Sequence, residues 1–219
     1  MSYQFSELLP PDVLNMKPMI MFIWVAFGFL LGALPFSVWL VRLILHTDIR
    51  RYGDGNPGPA NAWRAGGPLV GIPAAALDYL KGAIPVYLAH FTFGVSGWGL
   101  TAVALAPLFG HAFSPFLGFR GGKAVTTTFG IWTGLTLWEG PTILGTLLGL
   151  FFFLQKIDAW AAILGMLGFL VYLLVRQPAD FILTIWAGNM LILTWKYRSE
   201  LRCLPRLRPW LSNCLKRRR

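Results

Sequence analysis

Residues 82–119 run for 38 positions without a formal charge, and residues 19–41 for another 23. A water-soluble domain cannot keep such stretches uncharged, because part of every element must face solvent. A bilayer core about 30 Å thick is crossed by roughly 20 apolar residues in a helix. The shorter run therefore fits one crossing and the longer run needs a turn inside it. The whole chain agrees, since only 13% of its 219 residues are charged, against about 25% in soluble domains. Disorder, coiled coil and an ordinary soluble core are excluded. The alternating pattern of a membrane β-barrel is absent, and no internal repeat is visible. The expectation is an all-α integral membrane protein.

The apolar runs predict about seven transmembrane helices, over 19–45, 68–91, 97–118, 124–138, 141–155, 159–175 and 181–196. Several are shorter than about 17 residues, and one or two of these are expected to be re-entrant or packed inside the bundle. The turn within the long uncharged run falls at 94–97, and the two short helices join at Glu139-Gly140-Pro141. Residues 46–67 read as a polar loop. The first run is too long for a cleavable signal peptide, with no basic segment before it and no small-residue cleavage site after it. The expected organisation is an N-terminal segment (1–18), one polytopic domain (19–196) and a basic tail (197–219).

The net charge is +10, and most of it lies at one end. Residues 196–219 hold nine Lys/Arg and one acid, Glu200. After so apolar a chain, anionic membrane lipids are the expected partner of this tail, and nucleic acid is not. Loops 46–67, 119–124 and 155–158 share one side with the tail in a seven-helix arrangement. That side holds Arg50, Arg51, Arg64, Arg120 and Lys123, and the opposite side only Lys17 and Arg176. The positive-inside rule then puts the N-terminus outside and the C-terminus in the cytoplasm. Cys203 and Cys214 both fall in the tail and predict free thiols, not a disulfide scaffold.

Two glycine-rich islands fall on the same predicted face. The first is Asp48-Ile49-Arg50-Arg51-Tyr52-Gly53-Asp54-Gly55-Asn56-Pro57-Gly58-Pro59-Ala60-Asn61-Ala62-Trp63-Arg64. Its glycines let backbone N–H groups approach an anion, its asparagines can hydrogen-bond oxygen, and its arginine can fork onto a phosphate. The alternative is a plain turn-rich loop. The second is Arg120-Gly121-Gly122-Lys123 before an apolar helix, a phosphate cradle of free N–H groups, helix dipole and point charge. It lacks the spacing of a Walker A loop, and the alternative is a basic membrane anchor. Asp78 and Lys81 are three apart in an apolar segment, where mutual pairing is the first expectation. His111 closes an apolar run as either a structural hydrogen bonder or a base. No metal-ligand cluster is present.

These residues resemble the PlsY family of bacterial membrane acyltransferases, which transfer an acyl group from acyl phosphate to glycerol 3-phosphate. The similarity is carried by Gly32-Ala33-Leu34-Pro35-Phe36, Asp48-Ile49-Arg50, the glycines and asparagines at 53, 55, 56, 58 and 61, and Asp78-x-x-Lys81-Gly82. It continues through Gly110-His111-x-Phe113 to Phe119-x-Gly121-Gly122-Lys123. It implies a seven-helix fold with a cytoplasm-facing site in the bacterial inner membrane. The implied reaction gives lysophosphatidic acid and phosphate from fatty acyl phosphate and glycerol 3-phosphate, without metal or organic cofactor. The implied substrate-binding residues are Arg50, Gly53, Gly55, Asn56, Gly58, Asn61, Gly121, Gly122 and Lys123.

The chain departs from the family pattern in places. Ala33 stands where the family usually has serine, and Ser37, four residues on, is the expected substitute, its hydroxyl turned to the cleft; the alternative is a bond back to the Ala33 carbonyl. Ala124 stands at a usual glycine. The family's third motif, beginning His-Arg-x-Asn, fits best at Tyr197-Arg198-Ser199-Glu200. A competing alignment keeps Asn189 but puts Trp186 at the histidine. The expected catalytic group is thus Ser37, His111, Tyr197 and Glu200. A second reading stays open: a non-catalytic relative serving as a lipid-binding or structural subunit of a larger membrane complex, with which ten tryptophans and the basic tail are compatible.

Overall fold

The computed structural model describes residues 17–176 and 179–211. The expected N-terminal segment and the end of the tail, with Cys214, lie outside them, apart from the backbone of residues 17 and 18. Among the described residues the chain is helical throughout, with one isolated bridge between Gln155 and Leu207. The helix expected over 19–45 is two, α1 (Lys17–Ala33) and α2 (Phe36–Leu45). Pro35 has no N–H to continue the ladder, and the helix breaks there.

α3 (Pro59–Tyr87) begins inside the segment expected as a loop. Pro59 occupies its first position, where a missing N–H costs nothing. The helix kinks at Gly66 (φ −134°) and Gly67 (φ 62°) and ends in a wider turn, Leu88–Thr92. α4 (Gly97–Ala112) is shorter than expected, and Pro115–Leu117 forms a separate 3-10 turn. α5 (Val125–Thr136) and α6 (Glu139–Leu154) meet at Leu137, whose φ of 55° reverses the chain just before the expected Glu139-Gly140-Pro141 joint. α7 (Asp158–Arg176) and α8 (Asp180–Lys196) complete the bundle.

Among the described residues four stretches are long and apolar enough to cross a membrane: Met19–Leu45, Pro59–Thr92, Gly97–Leu117 and Asp158–Arg176. α5, α6 and α8 are shorter, as the sequence implied. The main core gathers Leu108, Trp132, Leu144, Phe169 and Leu193. Trp132 meets Phe169 edge to face with centroids 4.7 Å apart.

α3 packs most extensively on α5, and α1 on α4. In a bilayer such contacts depend on small residues that let backbones close up. A Cβ on Gly130 would run into the Tyr79 carbonyl, and one on Gly82 into the Thr127 carbonyl. Gly130→Val is therefore expected to cost about 1–3 kcal/mol or more, read as a lower unfolding midpoint in detergent. An unchanged midpoint would mean that this contact is loose.

After α8 the chain turns through Glu200–Arg202 and doubles back as a strap across the ends of α6 and α7. The Lys156 N–H donates to the Arg206 carbonyl at 2.8 Å, and the Arg208 N–H to the Leu154 carbonyl at 2.9 Å. Trp160 Nε1 donates to the Cys203 carbonyl at 2.7 Å. Trp210 packs on Phe153, with ring centroids 4.8 Å apart. Cys203 is a free, exposed thiol.

Candidate active site

The first island is held in shape from beneath. Ile49 is fully buried with Val41, Ala62, Val70 and Ala74, which pins the loop to α2 and α3. Gly53 (φ 56°) and Gly55 (φ 73°) are left-handed, and a Cβ on Gly53 would collide with the Asn61 amide. That amide organises the turn. Asn61 Nδ2 donates to Asp54 Oδ1 at 2.8 Å and to the Asn56 carbonyl at 3.0 Å. Arg64 donates to Asn61 Oδ1 at 2.7 Å.

The second island packs against α4. Gly121 and Gly122 are buried, and the Gly122 N–H donates to the His111 carbonyl at 3.2 Å. Lys196 Nζ donates to the Gly121 carbonyl at 2.9 Å. The glycines therefore close onto His111, and Lys123 projects. Its Nζ lies 2.6 Å from Asp54 Oδ2, bonds Glu200 Oε1 as well, and sits 4.3 Å from the centre of the Tyr197 ring.

These groups enclose a cavity of about 530 Å³. Asp54, Asn56, Arg64, His111, Lys123, Tyr197 and Glu200 line it, with Asp158 and Phe152 at the side carrying the strap. Val125 and Thr126, the first turn of α5, also face it, so a helix N-terminus with its positive dipole end opens there. Ala124 precedes them at φ 62° and is buried. A residue with a Cβ pays about 1 kcal/mol for that conformation. Ala124→Gly is thus expected to leave stability unchanged or raise it by up to about 1 kcal/mol. A clear loss would show that the alanine methyl packs better than its backbone suffers.

Burial pushes the Asp54 carboxyl up, but Lys123, the Asn56 N–H and the Asn61 amide outweigh it and hold it below the ordinary 3.8. A depressed carboxyl contributes its stabilisation above the ordinary value and loses it as pH falls through the folded one. The Asp54–Lys123 pair is therefore expected to stay intact across neutral and mildly acid pH and to fail below about 3.8. A stability loss centred near pH 6 would have to come from another group. Burial, then the carboxylates of Glu200, Asp158 and Asp54, push the Tyr197 phenol up. Tyr197 is a protonated platform under Lys123, and it is no base near neutral pH.

The structure brings Gly53, Asn56, Gly58, His111, Lys123, Tyr197 and Glu200 together, and Gly55, Asn61, Gly121 and Gly122 shape the walls. Two expectations are corrected. Arg50 is exposed and does not line the cavity. Its N–H donates to Asp48 Oδ1 at 2.9 Å in a short 3-10 turn that sends Ile49 inward and Arg50 out. Arg64, one helix turn past Asn61, takes the place expected of it.

Ser37 does not face the cleft either, nor does it bond the Ala33 carbonyl. It is buried and donates to Asp78 Oδ2 at 2.9 Å. The Ala33 carbonyl receives Ser114 Oγ at 2.6 Å. Asp78 pairs with Lys81 at 2.7 Å as expected, and Lys81 donates to the Leu34 carbonyl at 2.9 Å. His111 Nδ1 lies 4.0 Å from Asp78 Oδ1. This buried cluster backs the cavity floor without opening into it, except at His111.

The two alignments of the third motif fall in different places. Asn189 is buried and bonds the Ile185 carbonyl within its own helix, whereas Tyr197 and Glu200 both line the cavity. Sequence reasoning did not single out Asp54, Arg64, Asp158, Thr126 or Phe152 as cavity residues. Asp54 and Arg64 stood in the quoted island, but an acid is not what an anion site advertises, and Arg50 was the cation chosen.

The family described as glycerol-3-phosphate acyltransferase matches residues 22–206. The chain belongs to that family. It is 39% identical over 198 residues to glycerol-3-phosphate acyltransferase 1 of Thermotoga maritima, covering 84% of this chain and 97% of the relative. A glycerol-3-phosphate acyltransferase of Anaeromyxobacter dehalogenans is 35% identical over 211 residues, covering 90% and 97%. The crystal structure of PlsY, an integral membrane glycerol 3-phosphate acyltransferase, in its glycerol 3-phosphate form superposes with a TM-score of 0.76 at 28% identity. It covers 83% of this chain and 90% of PlsY. The lysophosphatidic acid form of PlsY gives 0.74. The all-helical, integral membrane architecture expected from the sequence is that of this acyltransferase family.

Proposed function

We propose that the chain transfers an acyl group from a fatty acyl phosphate to the 1-hydroxyl of glycerol 3-phosphate, yielding lysophosphatidic acid and inorganic phosphate. The observation that carries the reading is Lys123, a cation held at the wall of a polar cavity beside the N-terminus of α5. Both substrates bear phosphate, and Lys123 with Arg64 supplies the cations to hold it. The hydroxyl oxygen attacks the acyl carbonyl, the new ester C–O bond forms, and the acyl–phosphate C–O bond breaks with its electron pair on phosphate. His111, which lines the cavity with Asp78 Oδ1 4.0 Å from its Nδ1, is the group we assign to accept the hydroxyl proton. Phosphate is already a good leaving group, so positioning and charge stabilisation carry most of the work. No step requires a metal or an organic cofactor.

The decisive assay uses purified protein in detergent, palmitoyl phosphate and labelled glycerol 3-phosphate. Labelled lysophosphatidic acid is the expected product, and none at any protein concentration would favour the non-catalytic relative.

The same reading puts the chain in the bacterial cytoplasmic membrane as a multi-pass protein, N-terminus outside, with the cavity and strap towards the cytoplasm and its anionic lipids. In a variant whose Cys203 and Cys214 are serine, Arg51→Cys and Arg120→Cys should label from the cytoplasm and Ser96→Cys from outside. All three positions are exposed. The reverse pattern would overturn the orientation.

A further inference from the structure

We propose that Glu200 is the counter-ion that a substrate phosphate displaces from Lys123, and that it thereby sets the affinity of this chain for phosphate-bearing substrates. The inference rests on the cavity being the phosphate site. Lys123 is not free in that cavity: it is shared between Asp54 and Glu200. Asp158 adds a third carboxylate, against the two cations Lys123 and Arg64. A phosphate dianion cannot reach the ammonium while both carboxylates hold it, because like charges at that range repel. One carboxylate has to leave.

The hydrogen bonds decide which. Asp54 accepts two hydrogen bonds besides its pair with Lys123. Asn61 Nδ2 reaches it at 2.8 Å and the Asn56 N–H at 3.2 Å, and Arg64 braces Asn61 at 2.7 Å. Among the described residues Glu200 has Lys123 as its side-chain partner; its side chain is about one-third exposed, no more than that of Asp54, so the partners and not the exposure tell the two apart. It is carried on the single 3-10 turn Glu200–Arg202, at the start of the strap. Glu200 can swing to solvent without undoing a hydrogen-bond network, and Asp54 cannot. The exchange also selects: an alcohol without phosphate offers Lys123 no charge in return for Glu200.

Inorganic phosphate titrated calorimetrically into purified protein tests the exchange without relying on turnover. Glu200→Gln is expected to bind phosphate about fivefold more tightly, the equivalent of losing about 1 kcal/mol of competing ion pair, and to lower the KM for glycerol 3-phosphate in parallel. Glu200→Asp, which keeps the charge, should fall between the two. A residue that merely supports the fold would weaken binding when altered, so unchanged or weaker phosphate binding in Glu200→Gln overturns the proposal. Glu139→Gln removes an exposed carboxylate that pairs with Arg176; equal tightening there would reduce the effect to net charge and also overturn it. Lys123→Ala separates the two readings. If it abolishes phosphate binding while Glu200→Gln changes nothing, only the counter-ion role falls. If Lys123→Ala binds phosphate normally, the cavity is not the phosphate site.

Discussion

Lys123→Ala is expected to lower kcat/KM for glycerol 3-phosphate by roughly 10- to 100-fold, the loss of one charge-assisted contact worth about 1.5–3 kcal/mol. The side chain is partly exposed, and both carboxylates it would leave behind already touch solvent, so the unfolding midpoint should move little. Lys123→Arg keeps the charge and should recover part of the activity, though its planar fork cannot reproduce a point charge above the Tyr197 ring. Full activity in the alanine variant, measured with acyl phosphate and labelled glycerol 3-phosphate, would remove the cavity from the chemistry.

The largest effect on stability is expected at Asp78. Its carboxylate and the Lys81 ammonium are both about 2% exposed and 2.7 Å apart. Asp78→Ala leaves Lys81 buried without a counter-charge, which costs about 3–5 kcal/mol, a large share of a domain's total stability. The protein should unfold well below the wild-type midpoint in detergent or fail to accumulate. Removing both charges, with Asp78→Asn and Lys81→Met together, should recover much of that loss. Ser37→Ala, which deletes one hydrogen bond to Asp78, should cost only about 1 kcal/mol. An Asp78→Ala protein as stable as wild type would show that water already reaches the pair.

The bundle was legible because its signals are long-range averages. Runs of uncharged residues mark helices wherever they pack, and the loops carrying Arg64, Lys123 and Lys156 do gather at one end with the strap. Lys123 was legible for a different reason: a lysine after two glycines at a helix start has few other uses. Ser37 was misread because its i, i+4 relation to Ala33 crosses Pro35, where the helix is broken and its face is not continued. Its hydroxyl then goes to a buried carboxylate 41 residues away, a pairing that local spacing does not encode. Arg50 was preferred over Arg64 although both are cations of the same island, and only Arg64 lines the cavity. Only the inward turn of Ile49 and the early start of α3 at Pro59 decide which one faces the cavity.

The strap has a consequence for biogenesis. Tyr197 and Glu200 close the cavity, yet they lie after α8 in chain order. A nascent chain that has already made α1 to α8 still lacks that wall. The partners that the strap docks on, Leu154, Lys156 and Trp160, were synthesised some 50 residues earlier and wait for it. The site is thus finished only after translation has passed the membrane domain, and a half-made chain holds Lys123 without the carboxylate and aromatic ring that cover it.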